Sequence, residues 1–328
     1  MIDRDLIIYR NLAVYLIEGK NRLTENYMTL EEAMDSGLTV LHETGDVGEL
    51  MIDNKSDRYV FVMAGDIVKG GRQDRTMAAD VILKPASRNV PLKSFCVEQS
   101  RWHQRGREDA TYFSASKKML SDEKLKIASR YRESQSEVWD EVACYQRNAS
   151  MALGSEVRSR ESASSLQLTL DNENLQNSVK EYLDAIRPAF DRKSGITGIA
   201  FSINGRISTV ENFGSAELFG KLRDKLRDKL LESAANEAFS KYDGRLDYRI
   251  PSAEDVKNFI IEAKSGRENV SKTGEITLER RYETSRSILF KTYHEDEGRK
   301  EKVHTSVYNT DGLEVNGRRH DYRSNRPW

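Results

Sequence analysis

Two short polar clusters interrupt an otherwise apolar, strand-like stretch of the chain. They are Gly70-Gly71-Arg72-Gln73-Asp74-Arg75 and Cys96-Val97-Glu98-Gln99-Ser100-Arg101-Trp102. Adjacent glycines let a backbone approach a ligand closely and present amide donors. Arg72 and Arg75 carry planar forks that fit phosphate or carboxylate. Gln73 and Asp74 are suited to orienting a sugar, an amide or a water. In the second cluster, strand alternation places Cys96 and Glu98 on one face and Val97 on the other. A carboxylate in an apolar strand needs a partner, and Arg72, Arg75 and Arg101 are the candidates. Glu98 therefore reads either as half of a structural ion pair or as a catalytic carboxylate, with Glu98 or Asp74 as the general base. Negative charge raises a thiol pKa, so Cys96 is a nucleophile only if the arginines reverse that effect. Otherwise it is a small buried hydrophobe. A third, weaker pair is Gln135 and Trp139, which share a helix face.

Much familiar chemistry is excluded. The glycines of 65–72 lack the Lys-Ser/Thr of a nucleotide-binding loop, and there is no HExxH, paired-Cys zinc motif, dinucleotide fingerprint or nucleophile elbow. The five histidines, at 42, 103, 294, 304 and 320, are scattered, so no metal site is expected. No cofactor is indicated. The 52 basic and 53 acidic residues leave a net charge of -1, which argues against nucleic acid as a partner. No apolar run is long enough to span a bilayer. The N-terminus lacks the plan of a signal peptide, and two cysteines make no disulfide scaffold. A cytoplasmic setting is expected.

The elements that must position the clusters follow from periodicity. LAVYLI (12–17), 38–42, 49–53, 59–64, 77–83 and 90–98 read as closely spaced strands, with a Thr29-capped helical turn before Gly37. No crossover-length helix separates these strands, which predicts an antiparallel sandwich or partly closed barrel. Residues 103–118 read as loop, 120–150 as helix, 154–170 as an exposed Ser-rich tract, and 175–190 as an amphipathic helix. Asn204-Gly205 predicts a tight hairpin over 196–210. A long Leu-striped helix follows over 215–239. After a short helix near 256–263, strands are expected at 275–283, 287–294 and 302–308, and the tail beyond Asp311 is polar enough to be mobile.

The ordered run VFVMAGDIVKGGRQDR, DVILKPASRNVPLKSFCVEQSRW, SQSEVWDEVA and IAFSINGRISTVENFGSAELFGKLRDKL resembles the ARG and rhodanese-phosphatase-superfamily-associated protein (ARPP) domain, where ARG stands for ADP-ribosylglycohydrolase. The resemblance covers roughly residues 10–235. Gly70, Gly71, Gln73 and Arg75 fall on the family's first pattern. Cys96, Glu98, Arg101 and Trp102 fall on its second, and Gln135 and Trp139 match a further Gln and Trp. Glu211 stands where the family has Asp, and Arg223 where it has Trp. The resemblance implies an association with ADP-ribose-processing and phosphatase-like proteins.

The expected architecture is α+β: a β-rich core over 5–102, a helical region with a hairpin over 103–240, and a C-terminal extension over 241–328. The expected function is binding or processing of an ADP-ribose-like or other phosphorylated nucleotide derivative. Catalytic candidates are Glu98, Asp74 and Cys96. Ligand-binding candidates are Gly70, Gly71, Arg72, Gln73, Arg75, Arg101 and Trp102. The alternative is a non-catalytic scaffold or sensor whose ionic clusters are structural, with the 215–239 helix docking a partner or a second copy.

Overall fold

A computed structural model describes residues 2, 6–99, 112–191, 193–221 and 226–311. In chain order its elements are β1 (Ile7–Tyr9), β2 (Leu12–Glu18), β3 (Met28–Thr29), α1 (Leu30–Asp35), β4 (Thr39–Glu43), β5 (Glu49–Asn54), β6 (Val60–Val62) and β7 (Asp66–Gly70). Then come β8 (Arg75–Met77), β9 (Val81–Leu83), β10 (Val90–Cys96), β11 (Phe113–Met119), α2 (Glu123–Ile127), a π-helical turn (Ala128–Arg132), α3 (Gln135–Leu153), α4 (Leu166–Leu170) and α5 (Glu173–Asp191). The rest comprises β12 (Ile196–Ile203), β13 (Arg206–Phe213), α6 (Ala216–Lys221), α7 (Leu226–Ser240), α8 (Ala253–Lys264), β14 (Arg267–Gly274), β15 (Thr277–Glu283), β16 (Ser287–Asp296) and β17 (Arg299–Asn309).

The fold is α+β, as expected. The larger sheet is antiparallel and runs β1-β2-β12-β13-β17-β16-β15-β14, so all three stretches of the chain contribute strands to it. Its middle is buried on both faces. Leu12, Val14 and Leu16 enter one core with the helices, while Ala13, Tyr15 and Ile17 lie under α8. That two-sided burial is why LAVYLI is apolar at every position and not alternating. A six-stranded antiparallel sheet, β11-β7-β8-β10-β5-β4, curls into a half-barrel beside the small sheet β3-β6-β9. Together with α1 they enclose a second core.

Local rules explain several elements. Thr29 and Glu32 form a reciprocal capping box at α1. Asn204 and Gly205, at φ 50° and 73°, close the β12–β13 hairpin in the two-residue turn whose twist suits antiparallel strands. α3 starts on the Ser134 side chain and buries Val138, Val142, Tyr145 and Ala149 as one stripe.

Other segments differ from the expectation. The single strand of 77–83 is two, β8 and β9. The tract at 113–119 is strand β11, paired with β7. Residues 166–170 form α4, whose Leu166 and Leu170 are fully buried. Within the long helix expected over 215–239, residues 216–221 (α6) and 226–239 (in α7) are helical as expected, and 222–225 lie outside the described residues. Leu230, Leu231, Ala234 and Ala235 of α7 sit in this chain's own core. The tail expected to be mobile, 312–328, lies outside the described residues.

Strands β8 and β9 are separated at Asp80, which is fully buried. Its carboxylate accepts the Ala64 amide (2.8 Å), Arg130 Nη2 (2.9 Å) and Thr292 Oγ1 (2.5 Å), and meets His304 Nδ1 at 2.9 Å. Arg130, on the π-helical turn, also donates to Glu279 Oε2 (3.0 Å) and Ser306 Oγ (2.8 Å). His304 Nε2 lies 3.1 Å from Glu211 Oε2, within ion-pair range. This node joins the β8–β9 connection, the π turn and four strands of the larger sheet. Removing one partner of such a pair costs about 3–5 kcal/mol, because it strands a buried charge.

Two of these groups give the node a pH dependence. Burial alone would lower the His304 pKa, but Asp80 and Glu211 carry it up to about 9 from its ordinary 6.5. Burial would raise Asp80, but Arg130 and His304 hold it well below its ordinary 3.8. His304 therefore contributes stability that is complete below pH 6.5 and lost toward pH 9, and Asp80 contributes stability lost as pH falls below 3.8. We predict that the thermal midpoint falls between pH 6.5 and 9 and falls less steeply in His304→Gln. Glu123, whose proton burial and Glu237 hold up to about 7, adds a background slope in the same direction. The comparison of wild type with variant separates the two, and equal slopes would remove His304 from the account.

Candidate functional site

The two motif clusters meet because β8 and β10 are antiparallel neighbours. Arg75 pairs with Cys96, Thr76 with Phe95 and Met77 with Ser94. The ladder continues past β10, with the Val97 amide donating to Asp74 O (3.0 Å). Gln73 Nε2 then reaches the Glu98 carbonyl at 2.9 Å. Gly70, Gly71, Gln73, Asp74, Arg75, Cys96 and Glu98 are thus one assembly.

The turn between β7 and β8 needs its glycines. Gly70 and Gly71 sit at φ 109° and 56°. A Cβ on Gly70 would run into the Tyr112 carbonyl, and one on Gly71 into the Phe113 ring and Glu43. The amides of this turn are engaged within the protein. Gly70 N donates to Asp74 Oδ1 (3.2 Å), Gly71 N to Tyr112 O (3.1 Å) and Arg72 N to Glu43 Oε1 (3.0 Å). Gly70 and Gly71 shape the turn instead of presenting free donors, which differs from the expectation that their amides face a ligand.

The side chains divide by exposure. Arg72 is exposed. Gln73, Asp74, Cys96 and Glu98 are 0 % exposed and Arg75 is 1 %. The Arg75 guanidinium donates to the Val47 carbonyl and lies 3.4 Å from Glu43 Oε2. Its Nε, and the side-chain oxygen of Gln73, are buried without a hydrogen-bond partner. Asp74 Oδ2 accepts from Ser165 Oγ at 3.5 Å, and Ser165 also caps α4. Burial pushes the Cys96 thiol up to about 11, with Arg75 opposing the rise and Glu43 and Glu98 adding to it. Cys96 is a neutral thiol at pH 7. Arg101 and Trp102 lie outside the described residues.

The third motif joins the second through an amide clamp. Gln135 Oε1 accepts the Cys96 amide and its Nε2 donates to the Cys96 carbonyl, both at 2.8 Å. The first residue of α3 thereby stands in for a strand along the edge of β10. Trp139, one turn on, is half-buried, with its indole N–H buried and unpartnered. Reading by sequence missed Glu43, Val47 and Ser165. Glu43 ends an ordinary strand and Ser165 sits in a Ser-rich tract, so neither carries a local signal. Asp80 did carry one: an acid inside the apolar run 77–83, the same anomaly that singled out Glu98. Among the described residues, no three His, Cys, Asp or Glu side chains are grouped to hold a metal ion, and no helix is long and apolar enough to cross a membrane.

The clamp yields a prediction. Gln135→Leu leaves the Cys96 amide and carbonyl without their partners, at about 1–3 kcal/mol for each unsatisfied buried group. Chemical denaturation should show a loss of that order, and a variant as stable as wild type would mean that the clamp contributes nothing.

No curated protein and no solved structure matches the chain. A family match exists and spans residues 4–308. It extends past the 10–235 of the sequence resemblance to take in β14 to β16 and nearly all of β17, so the family match includes these C-terminal strands. With its motif clusters assembled and nearly the whole chain matched, the protein belongs to the ARPP-1 family, the ARG and Rhodanese-Phosphatase-superfamily-associated Protein domain.

Proposed function

We propose that this chain binds a small phosphorylated nucleotide derivative of the ADP-ribose class at the 70–75 and 96–98 assembly, with Glu98 and Asp74 as its acid–base groups. The reading is carried by two buried polar atoms without hydrogen-bond partners, Gln73 Oε1 and Arg75 Nε. One is an acceptor and the other a cationic donor. Each such atom costs about 1–3 kcal/mol when left unmade, and native folds keep few of them unless something completes them. A phosphoryl oxygen suits the guanidinium, and a ribose hydroxyl suits the amide oxygen. Arg72 adds an exposed cation beside them. The family description, with its association to ADP-ribosylglycohydrolase-type and phosphatase-type proteins, supports the choice of ligand class. The neutral Cys96 thiol is given no nucleophilic role here. Cys96 and Cys144 are both free thiols, which fits the reducing cytoplasm proposed as the setting.

A second reading has a specific observation in its favour. Arg75 and Glu98 are 1 % and 0 % exposed, as expected if the assembly is a strut inside a non-catalytic scaffold. Calorimetric titration with ADP-ribose separates the two. The ligand reading predicts heat with wild type and affinity weakened about 10- to 100-fold in Arg75→Lys and Glu98→Gln, the worth of a charged hydrogen bond. Thermal unfolding checks that both variants fold. No heat with wild type removes ADP-ribose as the ligand. Unchanged affinity in both variants removes the site and leaves the strut.

A further inference from the structure

We propose that two copies of this chain pair edge to edge through β14, antiparallel and centred on Val270, extending the larger sheet across a two-fold axis. β14 is the last strand of that sheet and pairs with β15 on its inner side. Residues 267–272 are all exposed. The opposite edge, β1, is protected by its length of 3 residues, whereas β14 runs for 8 and contains no proline. A long open edge presents a row of backbone donors and acceptors to an incoming strand.

The register is constrained before any side chain is considered. In an antiparallel ladder, directly opposite residues are either both hydrogen-bonded or both not. Pairing with β15 already decides which alternate residues of β14 aim their backbone groups outward. Two copies therefore meet only in registers whose two-fold axis passes through a residue. Centring on 268 sets Glu268 against itself. Centring on 269 sets Glu268 against Val270, and centring on 271 sets Val270 against Lys272. Centring on 270 pairs 268–272 and stops short of the irregularity at Thr273, whose hydroxyl donates to the Asp80 carbonyl. It places Val270 on Val270, Glu268 on Lys272 twice, and Asn269 on Ser271. Opposite charges facing across strands stabilise a pair and like charges destabilise it. The contact is self-complementary, as a two-fold interface requires. Glu268, Val270 and Lys272 alternate and so share one face. On that face Glu268 is already oriented by Tyr282 Oη (2.6 Å) and Arg280 Nη1 (3.0 Å).

Sedimentation equilibrium across a concentration series tests the proposal. Wild type should show a reversible species of twice 37.5 kDa. Lys272→Glu and Glu268→Lys should each weaken it by about tenfold, since each turns two attractive cross-strand pairs into repulsive ones. The double variant should recover most of the affinity. Oxidation should link Val270→Cys into a covalent dimer and should not link Ser271→Cys. All four changes are at exposed positions, and circular dichroism confirms folding. A monomer at every concentration, an assembly indifferent to the charge changes, or linkage through position 271 and not 270 would overturn the proposal.

Discussion

A buried carboxylate has to be neutralised where it stands, and Asp80 imposes that requirement on the centre of this fold. Water cannot reach it, so its charge is met by donors from the Ala64 amide, the π turn, β16 and β17. Those partners lie up to 224 residues from Asp80 along the chain. None of the elements involved can drift without exposing the others to an unpaired charge, so the geometric tolerance of the whole assembly is small. The π-helical turn gains a reason for existing: one extra residue per turn is costly in a helix, and here that turn holds Arg130 against Asp80, Glu279 and Ser306 with its guanidinium 4.3 Å over the Phe290 ring.

The same carboxylate connects to the candidate site through a very short tether. β8 begins at Arg75 and ends at Met77, and Asp80 follows almost at once. Anchoring Asp80 to the larger sheet therefore fixes one end of the strand whose other end carries Arg75. The partner strand β10 is held in turn by Gln135 at the start of α3, so both strands that set Arg75 opposite Cys96 are fastened from outside their own sheet. Glu43 and Ser165 then orient the polar groups, and burial keeps the thiol protonated.

Legibility in the sequence followed the range of the interaction. Elements whose cause is local were readable: LAVYLI as a buried strand, Thr29 as a cap, Asn204-Gly205 as a hairpin, and the stripes of α3 and α5. The assembly of the two motif clusters was readable as an expectation, because charge in an apolar strand demands an explanation. β11 was not readable, since its sequence FSASKKM is polar and becomes a strand by pairing with β7. β14 was missed for a related reason: an exposed edge strand buries no face and shows no alternation. α4 hid in a Ser-rich tract because its hydroxyls and amides are satisfied internally, as in the Ser116–Gln167 and Gln146–Thr169 bonds. His304 looked like an ordinary strand position and Glu211 stood out only as a departure from the family pattern, and their charges acquire meaning only when β13 and β17 lie side by side.

The direct test of the buried node is the protonation state of His304. Nitrogen-detected NMR of imidazole-labelled protein reports both ring nitrogens across a pH series. Both nitrogens are expected to carry protons at pH 7, with the ring titrating near 9. A neutral His304 ring at pH 7, titrating at or below its ordinary 6.5, would contradict that expectation.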